Sequence, residues 1–115
     1  MKASVTVKEN YEFRRIYRKG RSAVSPCLVT YCQKNRKGQS RLGITVSTKL
    51  GHAVVRNRVR RQLREIYRLN KERMVPGYDV ILVARVKAAH TTYHKMEQAY
   101  FQALVQLKLL REDAE

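Results

Sequence analysis

Arginines at helical spacing are the most chemically pointed feature of this chain. Arg56, Arg60 and Arg64 recur at i,i+4, and Arg61 and Arg68 extend the series. On a helix, Arg56, Asn57, Arg60, Arg61, Arg64, Arg68 and Lys71 fall on one side. Like charges one turn apart destabilise a helix, and a merely solvated face normally mixes signs. Here Glu65 is the only acid nearby. Guanidinium groups bind phosphate through two parallel hydrogen bonds, so the pattern reads as a grip on a polyanion. Lys49 precedes the series, and the segment from Lys49 to Val54 places free backbone N–H groups at a helix start, a ready anion site.

Other side chains suggest less. Phe13 and Tyr17 lie one helical turn apart, and Tyr31 lies on another element. Aromatic rings beside a basic surface stack unpaired bases. With Ile16 on the same seam, spacing alone favours plain core packing. Asp79 and Asp113 are the only aspartates, whereas a metal-dependent nuclease needs clustered carboxylates. His90 and His94 have i,i+4 spacing without a carboxylate to complete a zinc pattern. There is no nucleophile triad pattern and no Gly-rich phosphate loop. These residues describe a nucleic-acid-binding protein with no catalytic residues and no metal ligands of its own.

The charge balance agrees. Among 115 residues, 25 are Lys or Arg and 9 are Asp or Glu, a formal net charge of +16. Fifteen of the bases lie between Glu12 and Glu65, where there is no acid at all. Such a field repels itself and calls for a polyanionic partner. No run reaches the roughly 18 apolar residues of a membrane span, and the N-terminus has no apolar signal core. Cys27 and Cys32, read as one strand, fall on opposite faces, too far apart for a disulfide. Reduced thiols suit a cytoplasmic protein.

The length allows one domain, residues 1–115. Thr6 with Glu9 reads as a capping box for a helix running to Lys19 and ending at Gly20, with Phe13, Ile16 and Tyr17 as its seam. A short strand is possible over 21–24. Residues 27–32 read as a strand, 35–40 as a turn, and Leu42, Ile44 and Val46 as a half-buried strand, together a hairpin. A long helix spans 52 or 53 to 73, with Val55, Val59, Leu63, Ile66 and Leu69 facing the core. The apolar run 80–84 is a buried strand. Thr91 or Thr92 caps a last helix with its stripe at Tyr93, Met96, Tyr100, Leu104 and Leu107. The result is an α/β (α+β) two-layer sandwich, a small mixed sheet of about four strands with three helices in the order αβββαβα.

From Arg41 through Arg56-Asn57-Arg58 to Glu65 the chain resembles the protein subunit of bacterial ribonuclease P. Asn10-Tyr11-Glu12-Phe13 with Tyr17 and Gly20, and the run from Tyr78 to Arg85, support the match, which covers nearly the whole chain. The resemblance implies a left-handed βαβ crossover, as in the ribosomal protein S5 domain 2-like fold, although general rules favour the right-handed form. It implies an endonucleolytic holoenzyme in which a catalytic RNA, using Mg2+, removes the 5′ leader of precursor tRNA. The protein binds that RNA and the leader, and alone is inactive. Its RNA-binding residues would be Lys49, Arg56, Asn57, Arg58, Arg60, Arg61, Arg64 and Arg68. Phe13, Tyr17 and Tyr31 would line the leader cleft. Thr48, His52 and Ser25-Pro26 depart from the family's common residues. The partners implied are the catalytic RNA and precursor tRNA, with neither membrane nor DNA. The alternative is a ribosomal-type or chaperone RNA-binding protein. A DNA regulator is disfavoured, because an all-arginine face suits phosphate grip better than base readout.

Overall fold

The computed structural model describes residues 6–111. Asp113 and most of the segment read for a signal core lie outside them. Seven principal elements follow in order: α1 (Asn10–Lys19), β1 (Arg21–Val24), β2 (Leu28–Lys34), β3 (Arg41–Val46), α2 (Ala53–Asn70), β4 (Tyr78–Ala84) and α3 (Tyr93–Gln106). Short 3₁₀ turns at Thr48–Leu50, Lys71–Arg73 and Val86–His90 bracket α2 and precede α3.

The sheet order is β1-β2-β4-β3, with β3 parallel to β4 and the other pairs antiparallel. The expected hairpin of β2 and β3 is therefore absent. The chain does reverse between them, but β4 occupies the place between. β4 is the most continuously apolar strand, so it takes a central position with both edges paired and both faces covered. The true hairpin is β1 with β2.

Alternation divides the sheet residues between two faces. Leu28, Cys32, Leu42, Val46, Val80, Leu82 and Ala84 join Val59, Leu63 and Ile66 of α2 and Met96, Tyr100 and Leu104 of α3 in the main core. Ile81, with Val83 and Tyr31 beside it, faces the other way and meets Ile16 of α1 and Val7. The two-layer sandwich is thus the sheet with α2 and α3, while α1 covers part of the opposite face.

Three further expectations shift. α1 starts at Asn10 with Glu9 as N-cap, because Thr6 and Val7 lie extended against Leu42 at the edge of β3. Leu69 is 53% exposed, and Tyr67 takes its place in the core. Cys27 and Cys32 are free and share the main core, not opposite faces, since Cys27 precedes β2 and escapes its alternation. Gly20 is required where α1 turns into β1. A Cβ there would lie 2.6 Å from the carbonyl oxygens of both Ile16 and Cys32.

Candidate nucleic-acid interface

α2 is anchored by Val59, Leu63, Ile66 and Tyr67, all buried. That seam turns the arginines outward. The Arg61 and Arg64 side chains are exposed and make no hydrogen bond or ion pair among the described residues. Arg60 donates to Asn57 Oδ1 at 3.0 Å, which holds both side chains at the surface. Arg56 is half-buried and its Nε donates to the Gly51 carbonyl at 3.2 Å. Arg58 is tied through Nη2 to the Ala89 carbonyl at 2.6 Å, so it fastens α2 to the 3₁₀ turn before α3. Arg68 forms an exposed two-pronged pair with Glu65, at 3.2 and 2.7 Å. Lys49 is exposed in the 3₁₀ turn that leads into α2. His52, the N-cap residue of α2, makes no side-chain cap, so the first-turn N–H groups stay open to an outside acceptor.

The seven α2 positions thus differ in availability. Arg61 and Arg64 form the open part of the face, and half-buried Arg60 shares one donor with Asn57. Arg56 and Arg58 each spend one donor on the fold, and a guanidinium has others to give. Arg68 must leave Glu65 to reach a phosphate.

The aromatics gather on the other side of β3. The Tyr17 and Tyr31 ring centroids are 4.9 Å apart, edge to face, and Phe13 lies 6.3 Å from Tyr17. Ile16 is fully buried, whereas Phe13 and Tyr31 are half-buried and Tyr17 is 37% exposed. The seam therefore splits, with Ile16 in the core and the three rings at its rim. Tyr17 Oη and Thr45 Oγ1 are hydrogen-bonded at 2.9 Å. Asn10, Phe13, Arg14, Tyr17 and Thr45 line a cleft of about 380 Å³. Gly43 makes room for this arrangement, because a Cβ there would lie 2.9 Å from the Phe13 ring.

Arg14, Asn10 and Thr45 were not singled out from sequence. Thr45 had a signal, since it alternates with the core residues Ile44 and Val46. Arg14 had only its position next to Phe13.

A buried ionic cluster ties α1 to the sheet. Arg41 Nη1 is 3.0 Å from Glu12 Oε2, while its Nε and Nη2 donate to the two Asp79 oxygens at 2.8 Å each. Asn35 Nδ2 also donates to Asp79, at 2.8 Å. Burial pushes both carboxyls up, but hydrogen bonds from Arg41 and its charge outweigh burial, with Asn35 helping at Asp79. Both end below the ordinary carboxylate range.

β3 is an edge strand, and it carries both features. α2 packs against it in the main core, and α1 meets it through Gly43 and Thr45 from the opposite face. A cationic helix and an aromatic cleft flanking one strand define a class: a small α+β protein built to hold nucleic acid.

The particular family follows from comparison with known proteins. Residues 1–108 match the family model described as Ribonuclease P. The chain is 42% identical over 113 residues to the ribonuclease P protein component of Natranaerobius thermophilus, covering 98% of each. It is 43% identical over 94 residues to that of Clostridioides difficile, covering 81% of this chain and 82% of the relative. The Staphylococcus aureus RNase P protein structure superposes with a TM-score of 0.85 at 34% identity, covering 95% of this chain and 100% of that one. The Thermotoga maritima RNase P protein gives 0.78 at 29% identity, over 90% and 94%. The chain belongs to the bacterial ribonuclease P protein family.

Proposed function

We propose that this chain works in a ribonuclease P holoenzyme by holding two different RNA segments. The arginine face of α2, with Lys49, binds the catalytic RNA through its phosphates. The cleft lined by Phe13 and Tyr17, with Tyr31 edge to face against Tyr17 rather than in the lining, takes the single-stranded 5′ leader of precursor tRNA, with rings against bases and Arg14 against a phosphate. The supporting observation is that cleft and helix flank the same edge strand, so one RNA-bound protein places the leader beside the catalytic RNA. The reaction releases mature tRNA with a 5′-phosphate end, and its site of action is the cytoplasm. No helix among the described residues is long and apolar enough to cross a membrane.

Mg2+ belongs to the RNA side of this reading. The protein's residues do not fit it. No group of three or more His, Cys, Asp or Glu able to hold a metal occurs among the described residues, and the buried carboxylates Glu12 and Asp79 are committed to Arg41. The chain's contribution is positional and electrostatic: cations near the reacting phosphate lower repulsion and with it the metal concentration needed.

The test is reconstitution with a bacterial ribonuclease P RNA and precursor tRNA at low Mg2+. Adding the chain is expected to restore cleavage at the mature 5′ end, while highly purified chain alone cleaves nothing. Cleavage by RNA-free protein, or no effect on the RNA, would overturn the reading.

A further inference from the structure

The cluster of Arg41, Glu12 and Asp79 joins α1, β3 and β4. Arg41 and Asp79 are directly opposed on the parallel β3–β4 ladder. Sheet register therefore holds their two-pronged pair rigid, and Asn35 fixes the Asp79 carboxylate from a further side. That leaves one edge of the guanidinium, and it is aimed at Glu12 of α1. Glu12 directly precedes Phe13, and Tyr17 follows one turn later.

Among the described residues, α1 has one other polar side-chain tie to the sheet, the exposed Tyr17–Thr45 hydrogen bond. Its apolar contact with the sheet centres on three fully or nearly buried side chains, Val7, Ile16 and Ile81. Apolar contact is non-directional and tolerates sliding. An arginine–carboxylate pair fixes distance and angle. A buried ion cluster is also a poor source of stability compared with apolar packing, and its best-attested use is to specify one arrangement. Its placement here has an electrostatic benefit too. Glu12 lies on a helix that must face phosphate, and pairing with Arg41 beneath the surface removes its charge from the RNA side.

We propose that Arg41 and Glu12 are positioning residues for the leader cleft: through them the sheet sets where α1 lies, and so the spacing of Phe13 and Tyr17 from Tyr31. This rests on the leader reading above, and the experiment separates the two. In holoenzyme reconstituted with a bacterial ribonuclease P RNA, affinities are measured for precursor tRNA carrying a leader several nucleotides long and for mature tRNA. Their ratio is the leader advantage. Hydrogen exchange of the α1 amides is measured on the same protein, which reports helix docking without any RNA.

Glu12→Gln is expected to speed α1 exchange and to lower the leader advantage about tenfold. Mature tRNA affinity should stay unchanged. Glu12→Asp, which retains the charge on a shorter arm, should recover part of the ratio, and it replaces Glu12→Gln if that variant fails to fold. A purely structural role would instead weaken both RNAs alike, and that result overturns the proposal. So does unaltered α1 exchange. If Tyr31→Ala abolishes the leader advantage while the Glu12 variants keep it, positioning is refuted and the leader cleft stands. If neither change affects the ratio, the leader reading itself fails and the proposal with it.

Discussion

The two faces of the sheet are built on different principles. Toward α2 and α3, twenty-two buried side chains form one apolar cluster. Toward α1, the buried apolar set is Val7, Ile16 and Ile81, and a salt-bridged arginine completes the attachment. The first face supplies cohesion. It anchors α2 firmly enough that arginines repelling one another at i,i+4 are tolerated. The second face leaves aromatic edges open, because burying Phe13, Tyr17 and Tyr31 completely would stabilise the fold and remove the cleft.

The largest effect should come from the first face. Leu82→Ala, at a fully buried position in the central strand, is expected to cost about 2–5 kcal/mol in denaturant unfolding. Loss of α1 and of the main core in one transition would show that the weaker face depends on the stronger. Separate transitions would show α1 to be an independent unit.

Acid should act on the second face. The folded carboxyls of Glu12 and Asp79 lie below their ordinary values. Groups lowered in this way stabilise fully above the unfolded range near about 4, and that contribution is lost as pH falls through the folded values. Stability should therefore decline in that acid window, and Asp79→Asn should flatten the decline while lowering stability at neutral pH. An unchanged acid limb in Asp79→Asn would remove the ion cluster from the account of this face.

Ring removal should separate function from stability. Tyr31→Ala is expected to weaken holoenzyme binding of leader-bearing precursor tRNA by about 1–3 kcal/mol. Mature tRNA binding and thermal stability should alter little, as paired titrations and a melting curve would establish. Equal losses for both RNAs would return Tyr31 to the fold.

The smallest effects distinguish arginines along α2. Arg64→Ala is expected to lower the slope of log K against log salt for RNA binding by about one unit, since an exposed and unpartnered cation neutralises one phosphate. Arg68→Ala should change protein stability by less than about 1 kcal/mol, because its pair with Glu65 is exposed. A smaller salt-slope change for Arg68 than for Arg64 would show that Glu65 competes with RNA for it.

Local properties of the chain were legible in order: the arginine side of α2, the core stripe of α3, the apolar run of β4 and the glycine stop after α1. Each depends on periodicity or charge within one element, and neighbouring residues carry that information. The family resemblance supplied the three rings as a set, which spacing alone assigned to the core. Strand adjacency was a different matter. The turn between β2 and β3 announces a reversal but not a neighbour, and β4 enters between them because its two apolar faces need cover. The switch from Leu69 to Tyr67, and of Cys27 into the shared core, likewise depends on what α3 and β2 present across space. Arg41 is the sharpest case. In sequence it is one cation among fifteen in an acid-free stretch, and nothing nearby marks it as different. Only the parallel register of β3 on β4 sets it against Asp79, thirty-eight residues away, and only the docking of α1 brings Glu12 to its free edge. Charge and periodicity are properties of the chain, whereas pairing between distant residues is a property of packing, and packing decided which arginine is buried and which ones face outward.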